Sequence, residues 1–114
     1  VRLVIIESPF AGDVERNVAY ARDCMRDCLG RDEAPMAGHL LYTQVLDDTV
    51  SAERSLGIEA HIAWGRGAQA TVVYTDLGLS DGMRLGIDAA HKAGRPIEYR
   101  SLREFDDEAT RNLR

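Results

Sequence analysis

ATVVYTDLGLSDGMRLGIDAAHKAGRPIEY, residues 70–99, decides the fold. Its apolar, β-branched opening, Ala70-Thr71-Val72-Val73-Tyr74, has the composition of a parallel strand buried on both faces. Asp76 and a turn-rich segment, 77–82, follow, and within it Ser80 is placed to cap a helix. That helix is expected to bury Met83, Leu85, Ile87 and Ala90, to stop at Gly94 and to be followed by Pro96. Residues 97–99 then read as a short strand. In a strand–loop–helix–strand unit of this kind, ligands collect at the carboxyl ends of the strands. An Asp at the strand end beside the free N–H groups of a helix start suits a polar or anionic ligand.

Working toward the amino terminus, residues 2–7, RLVIIE, form a second run with central-strand character. It leads into Ser8-Pro9-Phe10-Ala11-Gly12, a loop with small residues where backbone can approach a ligand. Asp13 is placed to cap a helix with Val14, Val18, Ala21, Met25 and Leu29 at amphipathic spacing, closed by Gly30. No GxGxxG dinucleotide fingerprint follows the strand. Residues 31–35 look polar and irregular, and the apolar segment 38–42, GHLLY, is expected to be the second strand. Asp47 and Asp48 follow its carboxyl end, within reach of a ligand held at the strand ends. Ser51 is expected to cap a helix over 52 to about 64, with Leu56, Ala60 and Ala63 facing inward. His61 and His91 fall on helix surfaces expected to be solvated, and the charged tail, 102–114, has the start of a short helix at Asp106.

The element order is β-α-β-α-β-α-β, which implies a single α/β domain over 1–114 with a parallel sheet and helices on both faces. Right-handed crossovers reduce the choices to a flavodoxin-like, Rossmann-like sheet of about four strands in the order 2-1-3-4. Strands one and three are then neighbours at the switch point. The loop holding Ser8, Pro9, Phe10 and Gly12 and the loop holding Asp76, Ser80, Asp81 and Gly82 open into one crevice.

Composition narrows the function classes. The 114-residue chain carries a net charge of −5, which argues against a nucleic-acid polymer as its main partner but leaves room for a small phosphate-bearing ligand. No apolar run approaches the ~20 residues of a membrane span, no leader is visible, and a cytoplasmic location is expected. Cys24 and Cys28 share one helical face without a second ligand pair, so they read as small core residues and no metal is expected. No cofactor motif is present, and no Ser-His-Asp arrangement can be assembled.

The segments Glu7-Ser8-Pro9-Phe10-Ala11-Gly12, Ala70 through Asp76, and Ser80-Asp81-Gly82-Met83 resemble the nucleoside 2-deoxyribosyltransferase-like superfamily, which includes deoxynucleoside monophosphate N-glycosidases. The segment His39-Leu40-Leu41-Tyr42-Thr43-Gln44 and the loop from Asp76 to Met83 resemble a small uncharacterised branch of it, common in phages and bacteria. The resemblance implies action at the base–sugar bond of a nucleoside or its 5′-monophosphate, as an N-glycosidase or a deoxyribosyltransferase, in a homodimer or larger oligomer. By resemblance Ser8, Pro9, Phe10 and Gly12 contact sugar or phosphate, Asp76 orients the sugar, and Ser80 with Gly82 and Met83 forms the helix-start contact. His39 and Asp48 complete the expected binding set. The family's nucleophilic Glu falls on Gly86, so Asp76 and Asp81 are the catalytic candidates, and Gly86→Glu is expected to restore the missing acid. Without that acid a second class stays open, a non-catalytic protein that senses or sequesters a nucleotide.

Overall fold

The computed structural model describes residues 1–103. The tail helix expected from Asp106 lies outside the described residues. The elements run β1 (Arg2–Glu7), α1 (Val14–Gly30), β2 (Glu33–Met36), α2 (Gly38–Leu41) with a 3-10 turn (Tyr42–Gln44), α3 (Ser51–Gly65), β3 (Ala70–Tyr74), α4 (Asp81–Lys92) and β4 (Ile97–Arg100). All strand pairings are parallel and the order is β2-β1-β3-β4, the order expected.

Strand alternation divides the core into two layers. Val4 and Ile6 of β1 join Val72 and Tyr74 of β3 in packing on Cys24 and Cys28 of α1. Val73 faces the opposite way and packs on Met83 and Ile87 of α4. The cysteines are free, buried core residues, as their spacing suggested. The α1 face is Asn17, Ala21, Cys24 and Cys28. Val14 and Leu29, expected inside, are 42% and 62% exposed: Val14 stands in the first turn at the end of the buried stripe, and Leu29 lies about 100° round the helix from Cys28. On α4 the buried set is Met83, Gly86, Ile87 and Ala90, and Leu85 turns outward.

Two caps form as expected. Asp13 accepts the Arg16 N–H at 3.2 Å, and the Ser80 hydroxyl accepts the Met83 N–H at 3.2 Å. Gly94 takes a positive φ of 66° just after α4, a conformation that favours glycine.

The second strand is a correction. It is Glu33–Met36, and the GHLLY segment is helical. Pro35 sits on an edge strand, where the missing N–H is tolerated. The buried Glu33 carboxylate is held by Arg100 at 2.7 and 2.8 Å and by Arg2 at 2.6 Å. Those guanidiniums keep its pKa down at about 2, against the upward push of burial. The turn after α2 is fastened by Thr43 and Gln44, whose side chains donate back to the His39 and Leu40 carbonyls at 2.6 and 2.7 Å. Asp47 and Asp48 consequently follow this helical segment and not a strand.

Helix α3 is also rotated from expectation. Val50 precedes it without a side-chain cap, so Ser51 is its first residue rather than its cap. Leu56 is 57% exposed, and Gly57, Ile58, His61 and Ile62 face inward onto a cavity. His61, expected in solvent, has an 11% exposed side chain.

Candidate functional site

Helices α2, α3 and α4 do not close over the carboxyl end of β1. They leave a cavity of about 260 Å³, just under the ~300–1,000 Å³ of typical small-molecule sites. Ser8 and Phe10 enter it from the end of β1, His39 from α2, Asp48 from the following loop, and Ser80, Asp81, Gly82 and Met83 from the start of α4. Most of the residues singled out from the sequence therefore converge. Apolar walls come from Ile58, Ile62 and Met83.

Three of the expected residues do not line it. Pro9 is buried but absent from the cavity lining, and Gly12, exposed with φ 101°, serves the turn into α1. Asp76 lies in the α1 layer. Its carboxylate accepts hydrogen bonds from Tyr20 Oη at 2.5 Å, Ser101 Oγ at 2.7 Å, Leu102 N–H at 3.0 Å and Arg103 N–H at 3.3 Å. Burial alone would raise its pKa, but these donors outweigh burial and hold it at about 2. With its oxygens engaged this way, Asp76 ties the chain after β4 to α1.

The floor of the cavity holds two side-chain pairs. Ser8 Oγ lies 2.7 Å from His39 Nε2, and burial together with the neighbouring His61 pushes the His39 pKa down to about 4. The His39 and His61 rings meet edge to face with centroids 6.3 Å apart. Beside them, Glu7 Oε2 lies 2.9 Å from His61 Nε2. The Gly38 backbone N–H donates to His61 Nδ1 at 3.1 Å. A ring nitrogen that accepts carries no proton, so the proton of this tautomer is on Nε2 and is donated to Glu7.

Glycines make room for this second pair. A Cβ on Gly86 would overlap the Glu7 carboxylate, with Oε1 only 2.6 Å away. A Cβ on Gly38 would meet His61 Cβ at 2.7 Å and Cγ at 2.8 Å. Gly86 lies inside a helix, where glycine costs roughly 0.5–1 kcal/mol relative to Ala, and the seat of Glu7 explains it. At the rim, Arg54 Nη2 lies 3.7 Å from where a Gly82 Cβ would stand, and its Nε is 3.9 Å from Asp48.

Glu7, His61 and Arg54 were not among the expected site residues. Strand parity was the available signal for Glu7, because it follows Ile5 rather than Val4 and Ile6 in facing α4. For His61 the signal was the apolar pair Ile58 and Ile62 on the same face of α3, and nothing local marked Arg54. No group of three or more His, Cys, Asp or Glu among the described residues is placed to hold a metal ion. No described helix is long and apolar enough to cross a membrane.

Residues 2–100 match the family model described as Domain of unknown function (DUF7768). The chain belongs to this family. No curated protein matches it. Among solved structures it is similar to a 2-deoxyribosyltransferase from the psychrotolerant bacterium Bacillus psychrosaccharolyticus, with a TM-score of 0.63 and 16% identity over 87% of this chain and 72% of that one. A 2-desoxiribosyltransferase from Leishmania mexicana is similar with a TM-score of 0.56 and 16% identity, over 89% of this chain and 65% of that one. At this identity the likeness is one of fold.

Proposed function

We propose that the DUF7768 chain binds a nucleoside or nucleoside 5′-monophosphate in this cavity and acts at its base–sugar bond, as an N-glycosidase or deoxyribosyltransferase. The observation that carries the reading is the convergence of the β1-end segment and the α4 start on one cavity with a polar floor and apolar walls. A nucleoside has that same division, a flat base for Phe10, Ile58 and Met83 and a hydroxyl-rich sugar for Ser8, His39 and Asp48. A 5′-phosphate would meet Ser80, the backbone of Gly82 and the Arg54 guanidinium, where the helix dipole favours negative charge. Asp81, in the first turn of α4, is the acid at the rim of this end. The two 2-deoxyribosyltransferases of like fold support the substrate class. The net charge of −5 supports a small ligand over a nucleic-acid polymer, and the reading includes a cytoplasmic homo-oligomer without a cofactor.

Gly86, standing where the resembled enzymes carry their acid, favours a second reading, a non-catalytic nucleotide sensor or sequestering protein. One experiment separates the two. The chain is screened by thermal shift against the common nucleosides and their 5′-monophosphates, and each mixture is analysed chromatographically for free base. Base release establishes the enzyme. A thermal shift with every ligand recovered intact establishes the binder, and neither response removes the nucleotide reading altogether.

A further inference from the structure

The cavity contains a buried carboxylate that the resemblance does not assign. Glu7 is 5% exposed, and one of its oxygens, Oε2, is taken by His61. No described residue donates a hydrogen bond to Oε1. Among the described residues no fully buried side-chain oxygen or nitrogen lacks a partner, so Oε1 opens on the cavity that Glu7 lines. That oxygen is bound by no described residue and is reached from the cavity.

Its location carries the argument further. The position that resemblance gives to the attacking acid is Gly86, and the space a side chain would need there is filled by the Glu7 carboxylate. The acid has thus not been lost from this place in the fold. It arrives from the end of β1 rather than from α4, and Gly86 and Gly38 clear the room for it and for its histidine.

We propose that Glu7 is the catalytic carboxylate that meets the anomeric carbon, and that His61 is its positioning residue. This rests on the nucleoside reading of the cavity. Glu7 Oε1 bonds to the anomeric carbon as the carbon–nitrogen bond breaks. The bonding pair leaves with the base, which takes a proton from water. A second water then adds to the anomeric carbon, the ester bond to Glu7 breaks, and the carboxylate is regenerated as the water's proton returns to solvent. The sum is nucleoside plus water giving free sugar and free base. His61 Nε2–H fixes the carboxylate through Oε2 and leaves Oε1 to react, and the Gly38 N–H holds the ring in the tautomer this requires.

The test uses the full chain and whichever common deoxynucleoside or 5′-monophosphate it turns over. Glu7→Gln, which keeps an oxygen for His61 to donate to, is expected to bind that compound and to lose base release by at least ~10³-fold. His61→Gln can still donate from near the Nε2 position, whereas His61→Asn keeps only an acceptor for Gly38. Activity is therefore expected to fall no more than ~10-fold in the first and ~10²-fold or more in the second. Equal losses in the two would overturn the positioning role. A 2-deoxy-2-fluoroarabinosyl nucleoside, which slows the second step, is expected to leave a fluorosugar on the peptide containing Glu7. An adduct on another residue, no adduct on an active chain, or full activity in Glu7→Gln would overturn the assignment of Glu7 while the nucleoside reading stood. A wild-type chain that binds nucleotides and never releases base would overturn both the catalytic reading and this assignment.

Discussion

β1 and β3 lie side by side, and a carboxylate stands at or just beyond the end of each, yet Glu7 and Asp76 look into opposite layers of the molecule. Asp76 shares the side of Val72 and Tyr74 and meets Tyr20 of α1. Glu7 shares the side of Ile5 and meets His61 of α3 and Gly86 of α4. Asp76 accepts four hydrogen bonds, and Glu7 accepts a single bond from the described residues. Standing at the carboxyl end of a strand at the switch point does not make an acid a site residue. The parity of the strand decides which layer the acid enters, and the donors it meets there decide whether it is consumed by the fold or left available.

The largest effect is expected from a substitution that forces a second acid onto the first. Gly86→Glu restores the acid of the resembled enzymes on paper, but its Cβ alone overlaps the Glu7 carboxylate. Two acids would then compete for one buried space, and a loss of about 3 kcal/mol or more in urea denaturation is expected. A variant of wild-type stability with new base release would show that Glu7 yields easily and that the two acids are interchangeable.

Next in size is Asp76→Asn, expected to lower stability by roughly 1–3 kcal/mol because an amide cannot accept four such bonds. Its melting temperature should fall, and ligand affinity measured well below the melt should stay near wild type. A variant of full stability that no longer binds nucleotide would return Asp76 to the site.

Acid titration separates the two layers by pH. His39 in the cavity wall has a folded pKa of about 4, below the ~6.5 of an unfolded histidine. Between those values the unfolded chain holds the extra proton, so stability falls as pH drops from about 6.5 to 4, by on the order of 2 kcal/mol. Asp76 and Glu33, each held at about 2, act lower. Their stabilisation is complete above the unfolded carboxylate range near ~4 and is lost as pH falls toward 2. His39→Gln should remove the upper slope and leave the lower one. An unchanged upper slope would assign it to another group.

The smallest effect concerns the helix that forms the cavity's outer wall. Leu56, pointing away from it, should cost less than ~0.5 kcal/mol when changed to Ala. Ile62→Ala, on the cavity side, should cost more and weaken ligand binding. The reverse order in chemical denaturation would restore the inward face that the apolar residues of α3 suggest.

Much of the framework was legible because it rests on local signals. β1 and β3 are unbroken apolar runs, Asp13 and Ser80 are capping residues in capping positions, and Gly94 stands where a helix must stop. The alternation of elements was then enough for the sheet order. β2 was hidden because its marks, a proline and a buried glutamate, make sense only with an edge position and with Arg100, 67 residues away. The GHLLY run is too short for periodicity to distinguish strand from helix. In α3 the inward stripe is Gly57, Ile58, His61 and Ile62, and its apolar part, two isoleucines, competes in the sequence with the equally plausible set Leu56, Ala60 and Ala63. Of the residues that line the cavity, Ser8, Phe10, His39, Asp48, Ser80, Asp81, Gly82 and Met83 stand out in the sequence and Glu7 does not, because an acid ending an apolar strand also reads as a strand terminator.

The contrast between the two carboxylates is tested most directly without any ligand, by urea denaturation of Glu7→Gln and Asp76→Asn at neutral pH. The structure predicts that Glu7→Gln stays within ~1 kcal/mol of wild type, since a half-bonded buried charge adds little to stability, while Asp76→Asn falls clearly below it. If Glu7→Gln lost as much as Asp76→Asn, Glu7 would be a structural acid like its neighbour, and the proposed role in the cavity would be contradicted.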